Sequence, residues 1–342
     1  MTSPTYNTTH RAAFRERGLT MMELLIAVVI LSLLMAGLSQ LVVTNAKNAT
    51  TTGDLARIAD TGRTAIQLLA ADIRRTGYLG GYVGSLDATP SRAGTLGVSA
   101  YTINCVADTT AWATMVNQPI FGINAPDDDS TIAYECITDG GEDEDKWLRG
   151  DVLTVRYTLT PSVDVADMLV DVADIVVGKI YLRATVDQRR LLLFKEGDGV
   201  SVVASTENEI DDPTVRNFAL AAHAYFVGLT KRTCQGRPIP ALFRATIGDG
   251  GLPETQELLA GVENLQLRYL VGNRYFDADD VPLESGEWPP IDAVEINVLV
   301  RAECPETGFD INRSFELGDV SYTPADKDFR RQVFTTTTHL RN

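Results

Sequence analysis

Glu23 is the residue whose place in this chain most needs a chemical reason. The stretch from Arg15 to Val43 reads RERGLTMMELLIAVVILSLLMAGLSQLVV, and the glutamate stands at the mouth of its apolar run. Burying a carboxylate there costs several kcal/mol unless it is paired. Four cysteines, Cys105, Cys136, Cys234 and Cys304, form the next set. None makes a CxxC pair, so neither a zinc knuckle nor a thioredoxin-like site is supported. They allow three pairings, of which the sequence-local ones, Cys105–Cys136 and Cys234–Cys304, are favoured, each worth about 3–4 kcal/mol in the loop-entropy model; reduced thiols are the alternative. Clustered carboxylates at Asp127–Asp129, in GGEDED, and at Asp277, Asp279 and Asp280 offer hard oxygens for calcium. None has the spacing and terminal glutamate of an EF-hand loop, so they read as solvated loops and no metal site is assigned.

Catalytic constellations are missing. Of three histidines, His10 lies in the leader and His339 in the tail, and His223, in ALAAHAYF, reads as a packed or edge side chain. The chain has no GxSxG, HExxH or Walker loop, and no GxGxxG after a strand. The expectation is a protein that is not an enzyme and needs no cofactor.

The elements that would position these residues are readable from periodicity. Leu24 to Val43 is twenty residues interrupted by Ser32, Gly37, Ser39 and Gln40. At ~1.5 Å per residue it spans a hydrocarbon layer of roughly 30 Å. Thr44 to Asp54, TNAKNATTTGD, is poor in helix formers and marks a weak point, whose helicity the sequence leaves open. Leu55, Ile58, Gly62, Ile66, Leu69 and Ile73 then recur at helical spacing, opposite Arg57, Asp60, Thr64, Gln67 and Arg74. Gly77, Gly80 and Gly81 supply the stop. If the weak segment is helical, Leu19 to Thr76 makes a rod of about 85 Å whose outer half packs on a sheet.

Strands follow from alternation. Asp151–Leu159, the run ENLQLRYLV and the run AVEINVLVR each place apolar residues on one face and polar ones on the other. Shorter strands are expected at Ile180–Ala184, Arg190–Lys195, Val200–Ala204, Ala224–Leu229 and Ala241–Ala245. This predicts an α+β fold, a long N-terminal helix on an antiparallel sheet with one wet face, and a loop-rich insertion at 81–150.

Charge orients the chain. Its net charge is −16; three arginines against one glutamate give the first eighteen residues +2, leaving −18 beyond them. A surface this acidic repels phosphate backbones, so direct nucleic-acid binding is not expected. The basic leader keeps the N-terminus cytoplasmic and sends the chain beyond Val43 across the membrane, into a compartment that permits disulfides.

The N-terminal segment resembles the leader of type IV prepilins and type II secretion pseudopilins, in which a basic leader ends in Gly and Glu is the fifth mature residue. Here Arg17-Gly18 precede Leu19, Thr20, Met21, Met22 and Glu23; Leu19 departs from the usual Phe or Met. The resemblance implies a prepilin peptidase that cuts between Gly18 and Leu19 and methylates the new amine of Leu19. It gives residues 1–18 as leader, 19–43 as membrane and filament-core helix, 44–76 as outer helix and 77–342 as exported domain. It also gives Glu23 a reason, since the carboxylate can pair with the new terminus when subunits stack.

Further on, LARIADTGRTAIQLLAADIRRTGYLGG, GDVLTVRY, CQGRPIPALFR, LLAGVENLQLRYLVGN and RRQVFTTTTHLRN are similar to the PilW minor pilins. That resemblance implies an inner-membrane, single-pass subunit that leaves the membrane for the pilus. Its expected partners are other minor pilins and the major pilin in an initiation or tip complex, with a PilY-type adhesin as a further candidate. Adhesion, motility or DNA uptake would be the outputs. The alternatives are a J-type pseudopilin of a type II secretion system and a stand-alone anchored adhesin or calcium-binding surface domain. For the leader itself they are an ordinary anchor and a Sec signal cut after Gly37-Leu38-Ser39.

Overall fold

A computed structural model describes residues 20–81, 95–96, 115–125, 147–160, 162–164, 179–185, 190–195, 212, 214–247, 253–284 and 286–340. The chain divides into two compact units, Met1–Gly53 and Asp54–Asn342. Helix α1, Met21–Ile73, contributes to both. In the first unit every large apolar side chain from Met21 to Val43 is more than half exposed, and the helix is long and apolar enough to cross a membrane.

The weak segment is helical throughout. Its hydroxyls turn inward instead of competing for the backbone: Thr44 Oγ1 donates to the Gln40 carbonyl at 2.9 Å and Thr52 Oγ1 to that of Asn48 at 2.8 Å. Thr50 Oγ1 does the same toward Lys47, at 2.8 Å. Such back-bonding lets these residues stay in a helix at some cost in stability.

In the second unit α1 buries Ile58, Gly62, Ala65, Leu69, Ala70, Asp72 and Ile73. The expected stripe holds with one correction: Leu55 is exposed, and Ala65 and Ala70 take part instead. Gly62 is there for closeness. A Cβ on it would lie 2.2 Å from the Phe334 ring, so Gly62→Val should cost about 2–3 kcal/mol by overpacking, measurable as a lower urea midpoint at unchanged slope.

Among the described residues the larger sheet has nine strands, all antiparallel. They are β1 Thr95–Leu96, β2 Ile120–Ile123, β3 Trp147–Thr158, β4 Val163–Asp164, β5 Ile180–Thr185, β6 Arg190–Lys195, β7 Val215–Cys234, β8 Arg237–Ile247 and β9 Pro253–Ala260. The order is β1-β6-β5-β7-β3-β2, with β4 and β8 also on β7 and β9 on β8. The expected strand at Ala224–Leu229 is thus the middle of a twenty-residue strand. Its first residues pair with β5, and the rest pair with β3 and β8. Val200–Ala204 and most of the 81–150 insertion lie outside the described residues.

A second sheet has the order β11-β10-β12-β15, from β10 Val262–Val271, β11 Arg274–Phe276, β12 Ala293–Arg301 and β15 Arg331–His339. A hairpin, β13 Phe315–Leu317 and β14 Val320–Tyr322, packs on Leu299 of β12. One core joins Ile58, Leu69 and Ile73 of α1 to Leu153 and Val155 of β3, Tyr225 of β7, Leu265 and Leu267 of β10 and Ile296 of β12. The helix therefore covers both sheets at once.

The expectation of one wet face fails for β3 and β10. Thr154, Arg156 and Thr158 are buried, as are Asn264 and Gln266. A second core on the far side of the larger sheet, with Val152, Leu182, Phe218, Phe226 and Phe243, removes that face from water. The polar side chains there find internal partners: Arg156 Nη1 donates to the Gln118 carbonyl at 2.7 Å, and Gln266 Nε2 to that of Ala125 at 3.2 Å. Satisfied in this way, buried polar groups are tolerable.

Candidate functional site

The helix head is built around Glu23. Thr20 precedes α1 and Glu23 is its third residue, the spacing of a capping box. The Glu23 amide donates to Thr20 Oγ1 at 3.3 Å, and the Thr20 amide to Glu23 Oε2 at 3.4 Å. Both lie beyond the usual range for a strong bond, so Glu23 is a weak cap whose carboxylate stays exposed and available. This local role was in the sequence as T-x-x-E. Gly18 and Leu19 lie outside the described residues.

At the other end of α1, Asp72 is 7% exposed. Its Oδ1 accepts from the Tyr157 hydroxyl at 3.0 Å, and its Oδ2 from the Tyr225 hydroxyl at 2.5 Å and His223 Nδ1 at 2.6 Å. Burial alone would raise this carboxyl, but the bonds from His223, Tyr225 and Tyr157 outweigh it and hold Asp72 below its ordinary range. Burial and the Asp72 charge push Tyr157 up to about 12 and drive Tyr225 in the same direction. Both phenols are therefore fixed as donors, the opposite of an activated nucleophile. The cluster locks α1 onto β3 and β7. Sequence reasoning placed His223 correctly as a packed side chain but missed its partner, because Asp72 sits 151 residues away.

A second buried carboxylate joins the sheets. Asp151 on β3 accepts from the amides of Ala125 at 2.8 Å and Leu267 of β10 at 2.7 Å. Burial raises it to about 8, helped by Asp319 and Asp277, against the lowering effect of those two amides.

Cys234 and Cys304 are disulfide-bonded across 70 residues, with Cα atoms 5.2 Å apart. The bond ties the end of β7 to the segment after β12. Closing a loop of that length is worth about 4 kcal/mol in the chain-entropy model, so reduction should lower the urea unfolding free energy by roughly that amount. Cys105 and Cys136 lie outside the described residues, as do the carboxylates at Asp127–Asp129 and GGEDED. Among the described residues no three His, Cys, Asp or Glu side chains converge as metal ligands.

The N-terminal helix is apolar in its first half and has its last turns buried against antiparallel sheets. Residues 14–39 match the family model of the prokaryotic N-terminal methylation motif, which with the apolar helix fits a membrane-anchored pilin. More particularly, residues 224–342 match the model of the type IV pilus-assembly protein W. That match runs from the middle of β7 through β15 and takes in the second sheet, the β13–β14 hairpin and the disulfide. Two of the stretches similar to the PilW minor pilins, the outer helix and GDVLTVRY, precede it. No curated protein and no solved structure matches the chain.

Proposed function

We propose that this chain is a minor pilin that joins other minor pilins and the major pilin in the complex that initiates the type IV pilus. The observation that carries the reading is the methylation motif ending in an exposed apolar helix headed by Glu23, on a chain whose C-terminal region matches the pilus-assembly protein W. That second match favours a pilus over a J-type pseudopilin of a secretion system. In this reading a prepilin peptidase cuts between Gly18 and Leu19 and methylates Leu19. The subunit waits in the inner membrane with its C-terminal domain outside the cytoplasm, then leaves for the filament, where a PilY-type adhesin is a candidate neighbour. Its work is structural, not catalytic.

The exposed Glu23 carboxylate would pair with the new amine in the lipid-like filament core, where either charge alone is costly. The capping geometry makes a sharper test possible. Glutamine at this position keeps an acceptor for the Thr20 amide but removes the charge. If pairing matters, Glu23→Gln and Glu23→Ala should both fall at least tenfold in filament incorporation. Normal incorporation of Glu23→Gln, with Glu23→Ala impaired, would reduce the residue to a helix cap. Intact mass of protein made with a prepilin peptidase should show a start at Leu19 plus one methyl group. The same mass with and without the enzyme would overturn the processing step.

A further inference from the structure

An open strand edge is a template for another chain, and proteins blunt it by shortness, proline, charge or a bulge. Among the described residues eight strands have a single neighbour, and six of them, β1, β2, β4, β11, β13 and β14, are only two to four residues long. The two long ones differ. β9 opens on Pro253, carries Glu254 and Glu257, and its pairing with β8 is bulged between Leu242 and Phe243. β15 has none of these devices. Its nine residues pair with β12 without a register shift, and from Gln332 to Thr338, QVFTTTT, it holds no charge, proline or glycine. Alternate residues of an antiparallel strand turn their amide and carbonyl away from the neighbour. On β15 no other described backbone meets those outward groups.

The flank of α1 above this edge is apolar and only half covered. Phe334 lies against Gly62, so Gln332, Thr336 and Thr338 also face the helix, by alternation along the strand. Leu55 and Ile66 share the helix face of Gly62, one lying seven residues before it and the other four after. The neighbouring face of α1, with Asp54, Arg57, Ile58 and Thr61, looks toward Ala260 of β9 and Arg301 of β12, which leaves Leu55, Gly62 and Ile66 on the β15 side. Leu55 is 44% exposed, and Ile66 and Phe334 are partly buried. Main-chain bonds to β15 would hold an added strand, and this strip would select apolar side chains at its alternate positions. A second copy of the chain fits poorly. The matching strand it could offer, β15, sets Thr336 and Thr338 on the helix side, and two chains of net charge −16 repel each other.

We infer that the outer edge of β15 is a docking site for an extended segment of a partner protein. The segment adds a fifth strand to the second sheet and turns apolar side chains at every second position toward Leu55, Ile66 and Phe334. This is independent of the assembly reading. The full chain in dodecyl maltoside micelles would be mixed with the acetylated, amidated peptide Ser-Val-Gln-Val-Ser-Val-Gln and followed by amide hydrogen exchange. Exchange over β15 should slow about tenfold at saturating peptide, with no change over β9. The same peptide with every amide N-methylated keeps its side chains but no donor, and should bind about tenfold more weakly. Leu55→Asp, at an exposed helix position, should weaken binding by a similar factor. So should Thr336→Lys, which gives the edge the inward charge it lacks. Glu257→Gln, on β9, should bind as the parent does. No protection of β15, equal binding of the N-methylated peptide, or unchanged binding in Leu55→Asp would overturn the site, even if Thr336→Lys failed to fold. Sedimentation of the parent as a dimer that Thr336→Lys dissociates would overturn the partner in favour of a second copy.

Discussion

Gly150→Ala should lower the stability of the sheet-bearing unit by about 3–4 kcal/mol. Gly150 has φ of +76°, and a Cβ there would lie 2.7 Å from the Leu265 carbonyl and 2.7 Å from Asn264 Oδ1. The left-handed backbone alone costs an L-residue about 1–2 kcal/mol, and forcing β3 away from β10 adds about 1–3. The neighbour compounds the damage, because Asp151 accepts from the Leu267 amide and so joins β3 of the larger sheet to β10 of the smaller. Urea unfolding of the full chain in micelles would measure the loss. Gly272→Ala is the control: its φ is +64°, but no described atom lies within 4 Å of a Cβ there. It should cost only the backbone share. Equal losses in the two variants would show that close packing of β3 on β10 contributes nothing.

Asp72→Ala should cost about 3–5 kcal/mol, because it leaves several largely buried donors unsatisfied at once. Two tyrosine hydroxyls and His223 would be left without their acceptor in a largely buried site. Asp72→Asn should recover part of that, since an amide oxygen can still accept from a phenol. The pH dependence has a definite sign. Asp72 is held below its unfolded value, so its contribution is fully present above the unfolded pKa of about 4 and is lost as pH falls through the lower folded value. Parent protein should therefore lose stability on acidification below about pH 4, and the Asp72→Ala protein should lose less over the same window. Parallel curves for the two would show that the carboxylate is not what links α1 to β3 and β7.

Much of this architecture could be read from local pattern. The strands Arg190–Lys195 and Ala293–Arg301 occupy the expected residues, because alternation in a half-buried strand is written residue by residue. The outer helix is equally plain, since its stripe repeats at the helical period. The Cys234–Cys304 bond is one of the two sequence-local pairings expected.

What escaped was everything that depends on contacts between segments far apart in the chain. Alternation in β3 suggested a wet face, yet Arg156 is 1% exposed; the Gln118 carbonyl and Met115 sulfur that it meets come from a segment about forty residues earlier. The twenty-residue length of β7 was hidden because its Ala-rich stretch shows little contrast between faces when both are buried. Its hairpin with β8 turns on Gln235-Gly236, both at positive φ, a two-residue turn that the expected pair Asn-Gly would have announced and Gln-Gly did not. Asp72 looked like one more charge on an acidic chain until folding brought His223, Tyr157 and Tyr225 to it. Sequence order alone could establish a basic N-terminal stretch, an apolar run and a glutamate at its head, because each of these is written in contiguous residues. Which carboxylates are buried depended on contacts between residues far apart along the chain.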